Sequence, residues 1–198
     1  MNARKASLSR ETGETRVSVT VDLDGTGKYQ MATGSGIFDH LLSQLSRHSL
    51  IDITVQAKGD LETGYHHLVE DVGIVLGRAF SQALGERTGI RRMGDATVPL
   101  DEALATVAVD LVGRSYASLD LPWAQQTVEG LPSDMVRHFL ESFASEARFT
   151  LHARLLSGLN SHHQAEALFK ALARALRQAV EPDPRGGAQP PSTKGSLV

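Results

Sequence analysis

Two stretches of this chain pair adjacent histidines with a nearby glutamate: GYHHLVEDVG at residues 64–73 and NSHHQAEALF at residues 160–169. Glu70 follows His66 and His67, and Glu166 follows His162 and His163. Imidazole nitrogens with carboxylate oxygens make a donor set suited to manganese, iron, zinc or cobalt. On a helix, residues three and four apart share a face, so each glutamate can meet either of its histidines. Adjacent helical residues point about 100° apart, so the two histidines of a pair suit two different sites better than one shared ion. A single stretch of this kind is weak, because helix starts favour acidic residues in any case.

Duplication strengthens the signal. HHLVEDVGIVLGRAFSQAL (66–84) lies over HHQAEALFKALARALRQAV (162–180), sharing HH, the glutamate at the fifth position and L.RA..QA. Upstream, DHLLSQLSRHSLIDITV (39–55) lies over RHFLESFASEARFTLHA (137–153), which sets His40 over His138. Six histidines and two glutamates thus divide into two sets of three imidazoles and one carboxylate. His152 reads as a packing or supporting residue on its strand, and His48 as a helix-end cation complementing the dipole.

The elements that must carry these residues follow from periodicity. RVSVTVDL (16–23), IDITVQA (51–57), ATVAVDL (105–111), SYASLDL (115–121) and RFTLHARLL (148–156) read as strands. DGTG (24–27) is a hairpin-type turn, and the 105–111 and 115–121 segments read as a pair. Apolar spacing predicts helices over 37–47, 66–84 and 162–180, with Gly85 ending the second, and a helix capped by Ser133. The fold class is α+β, an internally duplicated two-layer unit in which each half has strands and two helices, the helices on one face of the sheet. One domain of two repeats, roughly 10–93 and 94–182, precedes a tail at 183–198.

Composition narrows the partners. The 198 residues are 41% hydrophobic and 22% charged with a net charge of -3, ordinary for a globular protein and without a basic footprint for nucleic acid. No run reaches membrane length and the first residues lack a secretory apolar core, so the expectation is a cytoplasmic protein without a membrane partner. With no cysteine, any metal must be held by histidine and carboxylate.

DHLLSQLSRHSLIDITV, HHLVEDVGIVLG, GIRRMGDATVPLDEAL, HHQAEALFKALARALRQA and PSTKG together resemble the imidazoleglycerol-phosphate dehydratase family, in order, from about Arg10 to the C-terminus. The resemblance implies a ribosomal-protein-S5-domain-2-like fold and dehydration of imidazole glycerol phosphate to imidazole acetol phosphate in histidine biosynthesis. It implies two manganese ions per site, with His40, His66, His67, Glu70, His138, His162, His163 and Glu166 as ligands contributed by more than one subunit. It also implies a 24-mer built from trimers. Arg92, Arg114, Ser192 and Lys194, with Gln44 as a polar contact, are the implied phosphate and substrate contacts, and the tail is expected to fold over the substrate. Glu166 and Glu14, the latter from a neighbouring subunit, are the candidate proton carriers. The family commonly has Asp-Asp before its first HH and Thr after it, where this chain has Gly64, Tyr65 and Leu68.

A dehydration next to an imidazole must break a C–H bond that no carbonyl acidifies. A metal on the ring nitrogen stabilises imidazolate-like charge and lets the ring act as an electron sink through a diazafulvene-type species. The rival readings are a two-metal phosphate-ester hydrolase, which would use similar residues, and metal storage in a helical bundle. Such bundles use Glu-x-x-His, the reverse of the order seen here.

Overall fold

The computed structural model describes residues 3–59, 64–187, 189 and 191–193. The first half runs β1 (Lys5–Glu11), β2 (Thr15–Asp22), β3 (Tyr29–Ala32), α1 (Gly36–Ser49), β4 (Asp52–Gly59) and α2 (His66–Leu84). The second runs β5 (Met93–Leu100), β6 (Ala103–Asp110), β7 (Tyr116–Asp120), the short pair β8 (Thr127–Val128) and β9 (Leu131–Pro132), α3 (Ser133–Ala147), β10 (Thr150–Ser157) and α4 (Ser161–Val180). Alternation builds the strands: in β2, Val17, Val19 and Val21 are buried while Arg16 and Ser18 face out, as one covered face requires.

The two sheets have the same plan, β1-β2-β4-β3 and β5-β6-β10-β7. β3 runs parallel to β4, and β7 parallel to β10. Parallel neighbours need a crossover, which α1 and α3 provide. Two expectations are corrected by this. DGTG is not a hairpin turn: it leads the chain away from β2 so that β3 can reach the far side of β4, and Asp52 Oδ1 accepts the N–H groups of Thr26 and Lys28 at 2.7 and 2.8 Å. Nor do the segments around 105–111 and 115–121 pair with each other, because β10 lies between them. β1, β3 and β5 add to the expected strands, and all three are sheet edges. The first strands of the two repeats are β1, from Lys5, and β5, from Met93.

Register shows how deep the duplication runs. Val19 faces Val55 and Tyr29 lies beside Ile53; in the second half Val107 faces Ala153 and Ala117 lies beside Leu151. This aligns ETRVSVTVDL (14–23) with EALATVAVDL (102–111), which share Glu, Val, Val, Asp and Leu at matching positions.

Each sheet is covered on one face by its own two helices, and the helices then pack across the halves, α1 on α4 and α2 on α3. The α2–α3 seam is close. A Cβ on Gly73 would fall 2.9 Å from Ser142 Cβ, and one on Gly77 would fall 2.8 Å from the Phe143 carbonyl. Phe139 meets Phe38 edge-on at 5.4 Å and stacks on Phe169 at 5.6 Å, so one core runs through both halves. Ser133 does not cap α3. Its hydroxyl donates to the Gln126 carbonyl at 3.0 Å, tying the helix to the loop before β8. Gly85 does end α2, at φ 62° with its N–H on the Ser81 carbonyl. No helix among the described residues is long and apolar enough to cross a membrane.

Candidate metal centre

Cross-packing of the halves assembles two histidine–carboxylate clusters. α1 against α4 brings His40 to His162 and Glu166: Glu166 Oε1 accepts from His40 Nε2 at 2.7 Å and from His162 Nε2 at 3.0 Å. α2 against α3 brings His138 to His66 and Glu70, with the His66 and His138 rings stacked at 4.3 Å. In each cluster the ligand atoms all lie within 4.8 Å of one another. Every cluster takes one histidine from one half and a His-x-x-x-Glu pair from the other. The expected sets of three imidazoles are each short by one. The rings of His67 and His163 stand at 87° and 84° to those of His66 and His162, and both residues lie outside the clusters.

The clusters differ electrostatically. Burial alone would raise the Glu166 carboxyl, but Lys170 Nζ at 2.5 Å and the two imidazoles outweigh it and hold its pKa at about 2. In the other cluster Glu70 is more open, and His138 Nε2, buried, stands 3.6 Å from Glu70 Oε1, too far to bond. A buried imidazole nitrogen without a partner is costly. A divalent ion would satisfy it, and the N/O donor set suits one, so the residues fit the implied metal. An ion at Glu166 would displace the protons that the two Nε2 atoms now share with the carboxylate.

The outlying histidines each face a carboxylate on the turn of their own half. His67 Nδ1 is 3.3 Å from Glu14 Oε2, and His163 Nδ1 donates to Glu102 Oε2 at 2.7 Å. Glu14, expected from a neighbouring subunit, thus stands beside a histidine of its own chain. The His163 contact, helped by backbone N–H groups, holds the Glu102 pKa at about 2 and raises that of His163. Asn160 caps α4, its side chain accepting the N–H groups of His162 and His163 at 2.8 and 3.4 Å.

A family model described as imidazoleglycerol-phosphate dehydratase matches residues 33–176. The chain belongs to that family. Among its relatives, the Dehalococcoides mccartyi (strain ATCC BAA-2266) imidazoleglycerol-phosphate dehydratase is 58% identical over 197 residues, covering 100% of this chain and 99% of the relative. The one from Ruegeria pomeroyi is 54% identical over 196 residues, covering 98% and 100%. The crystal structure of the Staphylococcus aureus enzyme superposes with a TM-score of 0.82 at 31% identity, covering 90% of this chain and 99% of that one. That of the Pyrococcus furiosus enzyme in complex with (S)-C348 gives 0.82 at 35%, covering 96% and 99%. Members of the imidazoleglycerol-phosphate dehydratase family are hydro-lyases, and this chain is one.

The residues expected to contact phosphate are placed as follows. Arg92, at φ 71°, pairs through Nε and Nη2 with Asp110 at 2.6 and 2.8 Å, which raises its pKa, and gives Nη1 to the Pro191 carbonyl at 2.7 Å. Arg114 is exposed beyond β6, and Ser192 is half-buried. Lys194 lies outside the described residues. No described hydrogen bond or ion pair links Arg92 or Arg114 to either histidine cluster. Gln44 is beside one, with Nε2 3.4 Å from His40 Nε2.

Two readings of isolated histidines are corrected. His48 is not a dipole cation: burial first, then Lys170, Arg174 and Arg47, lower its pKa, and its Nε2 donates to Gln44 Oε1 at 3.0 Å. His152 is exposed on the outer face of the second sheet, its ring 6.0 Å from that of Tyr116. Sequence reasoning passed over Lys170, although it follows Glu166 at i+4, and Glu102, although the strand repeat sets it over Glu14. The departures at the first HH are accommodated. Gly64 takes φ 109°, Tyr65 is partly buried against the core, and Leu68 is buried.

Proposed function

We propose that the chain eliminates water from imidazole glycerol phosphate to give imidazole acetol phosphate, in histidine biosynthesis in the cytoplasm, using divalent metal for which manganese is the expected ion. The observation that carries this reading is the pair of cross-half clusters, one of them leaving His138 Nε2 buried and unpartnered. His40, His162 and Glu166 would hold one ion, and His66, Glu70 and His138 another. Bound there, the metals would act as Lewis acids on the substrate's imidazole ring and make it an electron sink.

The chain's own residues would do the rest. Glu166, ionised down to about pH 2, suits charge compensation and ligation better than proton uptake. Glu14, with 58% of its side chain exposed and standing beside His67, is better placed to carry a proton. Arg92, aimed by Asp110, and Arg114 and Ser192 would bind the phosphate, with Lys194 joining them from the tail. Arg92 also grips the tail at Pro191, which supports a tail that folds over the substrate.

His67 and His163 stand outside their own chain's clusters, so neighbouring chains would be completed by them. This supports active sites between subunits of a homo-oligomer, with the 24-mer of trimers as the expected assembly.

Turnover of imidazole glycerol phosphate by metal-stripped protein tests the reading. Ketone product should appear on adding Mn2+ and not without it. Release of inorganic phosphate in place of the ketone would favour the hydrolase instead.

A further inference from the structure

The β5–β6 turn carries a carboxylate to which the proposed chemistry gives no task. Glu102 Oε1 accepts the backbone N–H groups of Leu159 and Asn160 at 3.0 and 2.9 Å, and its Oε2 accepts from His163 Nδ1 at 2.7 Å. Ser157 Oγ donates to the Glu102 carbonyl at 3.1 Å. Every one of these bonds runs to the segment that leads into α4 or to the second histidine of its pair. By the strand repeat its counterpart is Glu14, on the β1–β2 turn, which faces His67 Nδ1 at 3.3 Å. Duplication has therefore set a turn carboxylate before each outward-facing histidine.

We propose that Glu102 is a positioning residue for His163, fixing the ring as the Nδ1–H tautomer and presenting Nε2 as a ligand to divalent metal. The proposal rests on the metal-centre reading. A carboxylate only accepts, so the ring nitrogen facing it carries the proton and the neutral ring keeps its lone pair on Nε2. Histidine ligands commonly hold their other N–H on such a carboxylate, which orients the ring and strengthens it as a ligand. The nearest described carboxylate to Nε2, on Asp101, is 3.8 Å away, outside hydrogen-bond reach. Two backbone donors pin Glu102 itself, so it holds the ring against rotation. No described backbone bond pins the Glu14 carboxylate, so the two copies have diverged into one carboxylate held by backbone donors and one that is not.

Competition against a fluorescent chelator for Mn2+ tests this on the wild type, Glu102→Ala, Glu102→Gln, His163→Ala and the Glu102→Ala/His163→Ala double variant. Thermal unfolding of each metal-free protein runs in parallel. Glu102→Ala should weaken Mn2+ binding roughly 10- to 100-fold, with Glu102→Gln, which keeps one acceptor oxygen, falling between it and the wild type. The double variant should bind no more weakly than His163→Ala alone, because the carboxylate acts through that ring. Folded Glu102→Ala with unchanged Mn2+ affinity, whatever its Tm, would overturn the proposal, as would additive losses in the double variant. A wild type that binds no Mn2+ would overturn the metal-centre reading as well.

Discussion

At the start of α4, Asn160 accepts two N–H groups, Glu102 takes two more and grips His163, and Gln125 Oε1 accepts the N–H of Ser161. At the start of α2 the cap position is Tyr65, whose side chain makes no capping bond. The tie there comes from further along the helix, where buried Asp71 accepts from Arg10 Nε at 2.8 Å and from the Thr15 hydroxyl, reaching back to the turn that carries Glu14. The helix repeat sets Ala167 over Asp71 and Lys170 over Ile74. The two copies thus keep their candidate ligands and differ in what supports them. In α4 the support fixes the helix mouth and charges the glutamate; in α2 it fixes the Glu14 turn and leaves the glutamate beside an apolar Ile74. A duplicated site can divide labour in this way, because ligation tolerates little change while the scaffold around each ligand is free to specialise.

The difference in charge gives the largest expected effect. Glu166→Gln should cut turnover about 10²-fold or more, because losing a charged candidate ligand costs at least what losing a ligand's supporting partner does, and it also leaves Lys170 without its partner. Glu70→Gln should cut turnover too but strand no lysine, and the acid-stability test therefore falls on Glu166. The Glu166 carboxyl is held at about 2 against an ordinary 4.5. Its contribution is fully present above about pH 4.5 and disappears as pH falls towards 2. Urea titrations of metal-free protein across that window should show a shallower pH dependence for Glu166→Gln than for the wild type. Equal slopes for the two would mean that the contrast between the clusters is not electrostatic.

Packing differs as well. β5 passes α4 so closely that a Cβ on Gly94 would lie 2.1 Å from the Ala175 carbonyl, whereas the matching position on β1 is Ala6, which is buried without difficulty. Gly94→Ala must push a strand off a helix backbone, and should cost about 3 kcal/mol, the upper part of the usual overpacking range. Ala6→Gly loses only a small side chain and some backbone order, about 1 kcal/mol. Urea unfolding midpoints of the two variants would settle whether α4 sits closer to its sheet than α2 does.

The helices were legible in the sequence because each has one apolar face against a sheet and another against the opposite half, so Leu41, Leu45, Val72, Leu76, Leu168 and Leu172 recur at helical spacing. The central strands were legible for the same reason, since β2 and β6 alternate between a covered and an open face. Edge strands such as KASLSRE carry a weaker pattern, with neighbours on one side only. Their pairing was hidden further, because a parallel partner is reached through a helix that separates the two strands in sequence. Of the candidate site, the histidines and glutamates that cluster were legible through repetition. Glu102 was not, because alone it reads as an ordinary turn residue in PLDEAL, and only the strand register aligns it with Glu14. The binding of Arg92 by Asp110 was equally hidden, depending as it does on a left-handed backbone at Arg92 that no local pattern announces.

The smallest effect concerns the caps. Asn160→Ala removes the acceptor for the His162 and His163 N–H groups, a loss of about 1 kcal/mol, and in a chain of this size it should lower the Tm by about 2–4 °C. The converse change, Tyr65→Asn, looks like a way to give α2 the cap that α4 has. It should fail. A capping residue needs an extended backbone so that its side chain can turn back onto the helix's first N–H groups. Asn160 has this conformation at φ -117° and ψ 120°, whereas Tyr65 is already helical at φ -90° and ψ -8°. An asparagine there would reach no helix donor and would give up the packing of the tyrosine ring against the core. The Tm of Tyr65→Asn should therefore fall, by differential scanning calorimetry of metal-free protein. A rise would show that the α2 mouth can adopt the α4 geometry, and that the difference between the two starts lies in side chains alone.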